Sequence, residues 1–417
     1  MEATTTKTEA NEKIEARPEV NLMPQEQEEE KLLRLAVIGT GNCGCMMAND
    51  ACERLGIDGV AINGSQKDLD LVNCPRVIKM TVGDGKGTGK DRDRAKQFFL
   101  NDSGLTLDQK FIRVIETNDV IIIATSAGGG YGSGSSTVLL ELLQQMYANK
   151  VFIMAGVLPF NDEGAAAFNG TKAWLREVIA LNPTYMIYDN NQFAGKMSPN
   201  KAAAAINEAF IRDLMVLQGD FITTTRTGGI DQRDMLTVLS VPGRIVIDSM
   251  TQLEKADVID GSVIATVADH IQRESAHAEM VKDKQILASA LMYSLGDDFD
   301  DVKGAIKADL QETFGEHIKD VTNLSDEDLG SIAVVLSGLT EPAMVIDRII
   351  SRAQKLEENI LGRKSASSKL NKLDGDSKLQ NITAKQSFAS EGPVVKATSN
   401  AESSKEDILK KFMEKKG

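Results

Sequence analysis

Gly128-Gly129-Gly130-Tyr131-Gly132-Ser133-Gly134-Ser135-Ser136 follows the apolar run Val120–Ala124 and leads into a helix-compatible stretch from Thr137 to Asn149. A short run this rich in Ile and Val reads as a strand buried on both faces. Five glycines in the seven positions from Gly128 to Gly134 leave main-chain N–H groups open at a helix start, a nest suited to several phosphate charges. A flexible linker of the same composition has no reason to stand between a buried strand and an amphipathic helix. The junction points to an open α/β sheet with a phosphate site at the C-terminal ends of its strands.

The surrounding chain has the matching rhythm. Leu32–Ile38, Gly59–Ile62, Val77–Met80, Val151–Met154 and Thr184–Tyr188 read as further short strands. Helical stretches run on to Leu55 and over Asp91–Leu100 and Ala165–Leu181. Such alternation predicts a Rossmann-like parallel sheet covered on both faces, spanning 31–197. Ser198 and Pro199 then open a long central helix, 198–219, with proline where a helix tolerates it best. Thr223–Thr225, Arg244–Ile247 and Ile332–Leu336 suggest a smaller α/β unit over 220–340, followed by a helix over 341–362. Residues 1–30 and 363–417 are polar and read as disordered. Within the tail, Ile408, Leu409, Phe412 and Met413 fall on one helical stripe, which is either a contact surface or a frayed end.

Two more glycine loops accompany the first. Gly39-Thr40-Gly41-Asn42-Cys43-Gly44 fits GxGxxG after a strand. Alone it would suggest a dinucleotide-dependent oxidoreductase, but that fold expects Asp or Glu at the end of the second strand, and Asn63 stands there. The loop Gly83–Lys90 resembles a Walker A sequence without satisfying it. Asp84 occupies the first glycine position, and Asp91 replaces the Ser/Thr that would hold magnesium.

Composition narrows the classes. No apolar run reaches the roughly 18 residues of a membrane span, and the acidic N-terminus is not a signal or transit peptide, so a cytoplasmic protein without a membrane partner is expected. The four cysteines form no zinc-type pairs, and the three histidines neighbour no nucleophile motif. A net charge of −14 argues against a broad, direct nucleic-acid surface. The tail from Arg363 onward is the exception, with twelve Lys/Arg against seven Asp/Glu. It suits an acidic partner or a neighbouring copy.

Three glycine loops on one open sheet, without a Walker A, resemble the tubulin/FtsZ superfamily over about Leu32 to Leu239. Gly128–Gly134 is similar to that family's GGGTGSG signature with Tyr131 at its threonine, and Ile38–Gly44 is similar to its first loop. Tyr188-Asp189-Asn190-Asn191 resembles the tubulin segment whose asparagine reads guanine, and Asn207 matches a second base-reading position. The resemblance implies GTP with Mg²⁺, bound by Gly41, Asn42, Cys43, Gly44, Asn63, Gly85, Gly128, Gly129, Gly130, Tyr131, Gly132, Ser133, Asn190 and Asn207. An asparagine amide can both donate to and accept from a purine edge, which suits it to guanine.

Gly228-Gly229-Ile230-Asp231-Gln232-Arg233-Asp234 resembles the family's synergy loop, with Gly229 in place of Asn. The resemblance makes Asp231 and Asp234 catalytic in a neighbouring subunit's pocket, where two carboxylates can hold or deprotonate the attacking water. The same spacing also fits a plain helix start with Asp231 as cap. Leu336–Pro342, the helix after it and the basic tail are similar to the phage and plasmid tubulins of TubZ and PhuZ type. This implies a homopolymeric filament that moves or positions DNA, with the tail touching the next subunit or a DNA-bound adaptor. A cell-division filament and an assembling protein without hydrolysis are the alternatives within the family.

Overall fold

The computed structural model describes residues 31–370 and 405–416, except 194, 220–229, 254–275, 278–285, 295–303, 305–307, 309–310, 313–317 and 324–329. The acidic arm, the strand expected at Thr223–Thr225 and the tail from 371 to 404 lie outside the described residues.

Six parallel strands form the first part of the sheet: β1 (Leu35–Thr40), β2 (Asp58–Asn63), β3 (Val77–Thr81), β4 (Val120–Ser126), β5 (Val151–Leu158) and β6 (Thr184–Asp189). Their order is β3-β2-β1-β4-β5-β6, the doubly wound arrangement, with its direction reversing between β1 and β4. Side chains alternate across β4. Ile122 joins an apolar cluster with Val37 and Ile153 on one face, whereas Ile121 and Ile123 join Ile38 and Met154 on the other. That period of two is why an unbroken apolar run is needed in a strand covered on both sides.

The covering helices are α1 (Gly41–Leu55), α2 (Gln66–Leu69), α3 (Arg92–Asn101), α4 (Gln109–Thr117), α5 (Tyr131–Met146) and α6 (Ala165–Leu181). The central helix α7 (Pro199–Gln218) has Pro199 in its first turn and stops at Gly219, whose φ of +83° is a left-handed cap. After α8 (Gln232–Leu239) come β7 (Gly243–Leu253), β8 (Ala288–Ser294), β9 (Ile318–Asn323) and β10 (Gly330–Leu339). β10 lies antiparallel between β7 and β8, and β9 runs parallel to β8.

The smaller unit does not form a separate sheet. β7 pairs in parallel with β6, making one ten-stranded sheet. The junction holds only two register pairs, Thr184 with Gly243 and Tyr185 with Arg244. Side chains bridge the same seam. Tyr188 of β6 donates its hydroxyl to Asp213 of α7, and His277 Nε2 lies 3.0 Å from that carboxylate and 3.0 Å from the Ile247 carbonyl of β7. The Tyr188 and His277 rings stack with centroids 4.7 Å apart. Beside them, burial and the neighbouring Asp213 push the Asp248 carboxyl up to about 7.

Two helices follow, α9 (Ala343–Leu370) and α10 (Lys405–Lys416). α9 packs on α6 and runs beyond the Gly362 stop expected from sequence. The apolar stripe of α10 is neither frayed nor exposed. Leu409 and Phe412 are buried, with Ile408 and Met413 packed beside them, and the helix lies against α5 of its own chain.

Candidate nucleotide-binding site

The carboxyl ends of β1, β2 and β4, with the loop after β3, surround a cavity of about 470 Å³. Its wall is made by residues 40–43, Asn63, Ser65 and Asp68, 86–90, Ser126 and 129–132. Main chain fits this tightly only where side chains are missing. Gly41 has φ +70°, and a Cβ there would stand 2.8 Å from the Gly132 nitrogen. A Cβ on Gly130 would stand 2.4 Å from the Lys90 Cα. All three glycine loops therefore touch one another around the cavity. α5 begins at Tyr131, inside the signature loop, so the first-turn N–H groups without intrahelical partners lie at the wall.

Of the residues expected at the nucleotide, Gly41, Asn42, Cys43, Asn63, Gly129, Gly130, Tyr131 and Gly132 line this cavity. Burial pushes the Cys43 thiol up to about 12, so it stays protonated at neutral pH and adds no charge opposing phosphate. The Tyr131 ring fills the space beside Gly64, where a Cβ would meet it at 2.9 Å. Ser133 lies behind the wall. Its hydroxyl donates to the Gly129 carbonyl and accepts from Arg92 Nε at 3.0 Å. Gly44 serves packing instead, since a Cβ there would meet the Ala124 carbonyl oxygen at 2.1 Å. Gly85 and Gly128 also stand outside the lining.

Arg92 braces the site from below. Its guanidinium reaches Glu177 at 2.9 Å, and Lys96 and Thr137 hold the same carboxylate at 2.5 and 2.7 Å. Burial alone would raise the Glu177 carboxyl, but Arg92 and Lys96 outweigh it and hold the group below its usual range. α3, α5 and α6 are thereby pinned together beneath the loops.

The two base-reading candidates lie apart from the phosphate cavity. Asn190 sits just past β6, its Nδ2 donating to the Leu158 carbonyl at 2.8 Å. Its Oδ1 is buried with no hydrogen-bond partner among the described residues, leaving an acceptor in reserve. Asp189 orders this turn. Its Oδ1 accepts from both nitrogens of Asn191, and its Oδ2 from Arg348 of α9 at 2.6 Å. Asn207 of α7 donates to Asp50 of α1 at 2.9 Å.

Asp231 caps α8, its Oδ1 accepting from the Asp234 nitrogen at 2.8 Å. The cap geometry is thus realised. The location of α8 is equally informative. Gln232 lies beside Asp119, which precedes β4, and the Leu239 carbonyl accepts from Thr184 at the start of β6. α8 therefore borders the amino-terminal edge of the sheet, one strand length from the cavity. β4 has seven residues, so that length is roughly 20 Å. Asp231 and Asp234 are not brought to their own chain's phosphate loops.

Sequence reading missed Ser65, Asp68, Lys86 and Lys90. A signal existed for the first two, because Ser65 caps α2 by accepting from the Asp68 nitrogen at 3.4 Å, the spacing of an N-cap and its N3 acid.

Fold and cavity define an α/β protein with a glycine-walled cavity at the switch point of a doubly wound sheet. Residues 34–197 match the model of the Tubulin/FtsZ family, GTPase domain, so the nucleotide half of the chain is similar to that superfamily in sequence as well as in fold. A tubulin-like protein CetZ of Methanothrix thermoacetophila is 28% identical over 192 residues, 42% of this chain and 52% of that protein. The chain thus matches about half the length of this curated relative. Among solved structures, CetZ from Methanosaeta thermophila superposes with a TM-score of 0.66 at 21% identity, covering 82% of this chain and 96% of that one. TubZ of Bacillus thuringiensis serovar israelensis, in a GTPγS-form protofilament, gives 0.65 at 17% identity, covering 81% and 95%. The sequence matches include CetZ proteins and the cell division protein FtsZ 1 of Pyrococcus furiosus, whereas the likeness to TubZ is one of fold. Among the described residues, no helix is long and apolar enough to cross a membrane.

Proposed function

We propose that the chain binds GTP in the 470 Å³ cavity, assembles head to tail and hydrolyses GTP between subunits. The observation that carries this reading is the placement of Asp231 and Asp234 at the sheet edge opposite the phosphate loops. Stacking copies along the strand direction brings that edge of one subunit over the cavity of the next. The main-chain nest and the first turn of α5 hold the phosphates. The two carboxylates of the neighbour position the attacking water or take its proton.

Magnesium suits the donor set. Asp68 Oδ2 accepts from Asn63 at 3.2 Å, which leaves Oδ1 as the side-chain oxygen that would hold the cation. Bound there, it would neutralise charge on the phosphate oxygens. The dinucleotide alternative has the same strand order but lacks the acid at the end of β2, where Asn63 stands.

The narrower reading is that the filament moves or positions DNA through a DNA-bound adaptor. It is supported by the resemblance of Leu336–Pro342 to the TubZ type and by Lys410, Lys411 and Lys415, which are exposed on α10. Because the apolar stripe of α10 is occupied within the chain, such a contact would be electrostatic and salt-sensitive.

Turnover measured against protein concentration tests the shared site. GTP hydrolysis per subunit should rise steeply at the assembly threshold, and Asp231→Ala should pellet with GTP yet turn over at least about a hundredfold more slowly, as for loss of a positioned general base. Constant turnover per subunit on dilution would overturn the proposal, as would wild-type turnover in Asp231→Ala.

A further inference from the structure

The loop after β3 holds the cavity's only non-glycine residue in the left-handed region. Lys90 has φ +66°, and among the described residues the other non-glycine case is Asn182, a helix cap of the type that tolerates it. Gly83, Gly85, Gly87 and Gly89 in the same loop also have positive φ, so glycine at 90 would relieve the strain at no steric cost. A strained residue in a site is an observation that asks for a role.

Lys86 and Lys90 both line the cavity, and both are exposed. Neither ammonium has an ion-pair or hydrogen-bond partner among the described residues. The nearby acids are engaged elsewhere: Asp84 with Arg94 at 3.2 Å, and Asp91 as the cap of α3. Only Asp68 brings a negative charge to the lining. In a chain of net charge −14, two unmatched cations thus face one pocket. The Lys90 main chain is wedged against Gly130 of the signature loop, which fixes where its side chain starts.

Resting on the nucleotide reading above, we propose that Lys86 and Lys90 are phosphate ligands that make the site select nucleoside triphosphate over diphosphate by charge. The loop fails as a Walker A because its lysine does not sit at a helix-opening Gly-Lys-Ser/Thr. It presents cations from a glycine-rich turn instead, and each contact is a charge-assisted hydrogen bond to an anionic oxygen. The fourth charge of a triphosphate gains more from two cations than the third charge of a diphosphate.

The test uses full-length protein below its assembly threshold and titration calorimetry with GTP, GDP and guanosine at two salt concentrations. Lys90→Asn keeps a residue that accepts left-handed φ and removes the charge, and Lys86→Gln removes the other. The double variant should keep its Tm and its guanosine affinity. It should lose about tenfold in GDP affinity and about a hundredfold in GTP affinity, with a shallower salt dependence, and Lys90→Arg should retain most of the GTP preference. If wild type binds GTP and the folded double variant keeps the same GTP-to-GDP ratio, this inference falls and the nucleotide site stands. If wild type binds no guanine nucleotide, both fall together.

Discussion

Replacing Leu409 and Phe412 by alanine should release α10 from the body while leaving the nucleotide domain folded. Leu409 is 8% and Phe412 2% exposed against α5. Core truncations of this kind cost about 2–5 kcal/mol for leucine and 3–5 kcal/mol for phenylalanine. Their sum, at least about 5 kcal/mol, exceeds what a docked segment can lose before it leaves. A 12-residue helix is marginal in water without tertiary contacts, so undocking and unwinding coincide and the cost is capped at the docking free energy. Hydrogen exchange read by mass spectrometry reports this directly. Peptides covering 405–416 should be protected in wild type and exchange at near random-coil rates in the double variant, while peptides from β4 and α5 keep their protection. GTP affinity should not change. Unchanged protection of 405–416 in the variant would refute the docking argument, as would absence of protection in wild type.

Asp248 gives a pH test. Its folded pKa, about 7, lies above that of an unfolded aspartate. Its contribution to stability is therefore fully present at acid pH, lost as pH rises from about 4 to 7, and constant beyond; Asp248→Asn should flatten that limb of a denaturation-versus-pH curve and stabilise at pH 7 by at most about 4 kcal/mol. A curve of unchanged slope would show that the carboxyl ionises normally. At the base side, Asn190→Ala with Asn207→Ala should weaken GTP binding by about 0.5–1.5 kcal/mol per lost hydrogen bond. Normal GTP affinity in a folded double variant would place the base elsewhere.

The nucleotide half was legible because its cause is local. Val120–Ala124 is apolar on both faces, and nothing but a doubly covered strand uses such a run in this context. The start of α5 was hidden because Gly132 and Gly134 are poor helix formers, and α5 nonetheless begins at Tyr131, where loop contacts override propensity. β8 and β9 were not visible, since Ala288–Ser294 and Ile318–Asn323 mix small and polar residues and owe their pairing to β10 and to each other. Lys86 and Lys90 escaped because a Walker A pattern requires a strand–loop–helix phosphate loop, whereas their loop reaches the cavity through the contact of Lys90 with Gly130, 40 residues further along the chain and adjacent only in the fold. The role of α10 was undecidable from its stripe, because amphipathicity states that a face will be covered and not by what.

The junction between β6 and β7 has a mechanical consequence. Seven register pairs join β4 to β5, and six join β5 to β6, but only two join β6 to β7. Tension applied across the molecule would forfeit the least backbone bonding along that line, so the chain has a built-in tear line. What else resists there is the backbone bridge between Tyr188 and His277, with the Asp189 N–H donating to the Ala276 carbonyl, and side-chain chemistry, the Tyr188–Asp213–His277 contact and the bonds from Thr184 to the Leu239 and Val241 carbonyls. Stiffness along this line is therefore set by a few exchangeable groups, and point substitutions can tune it without altering a single strand.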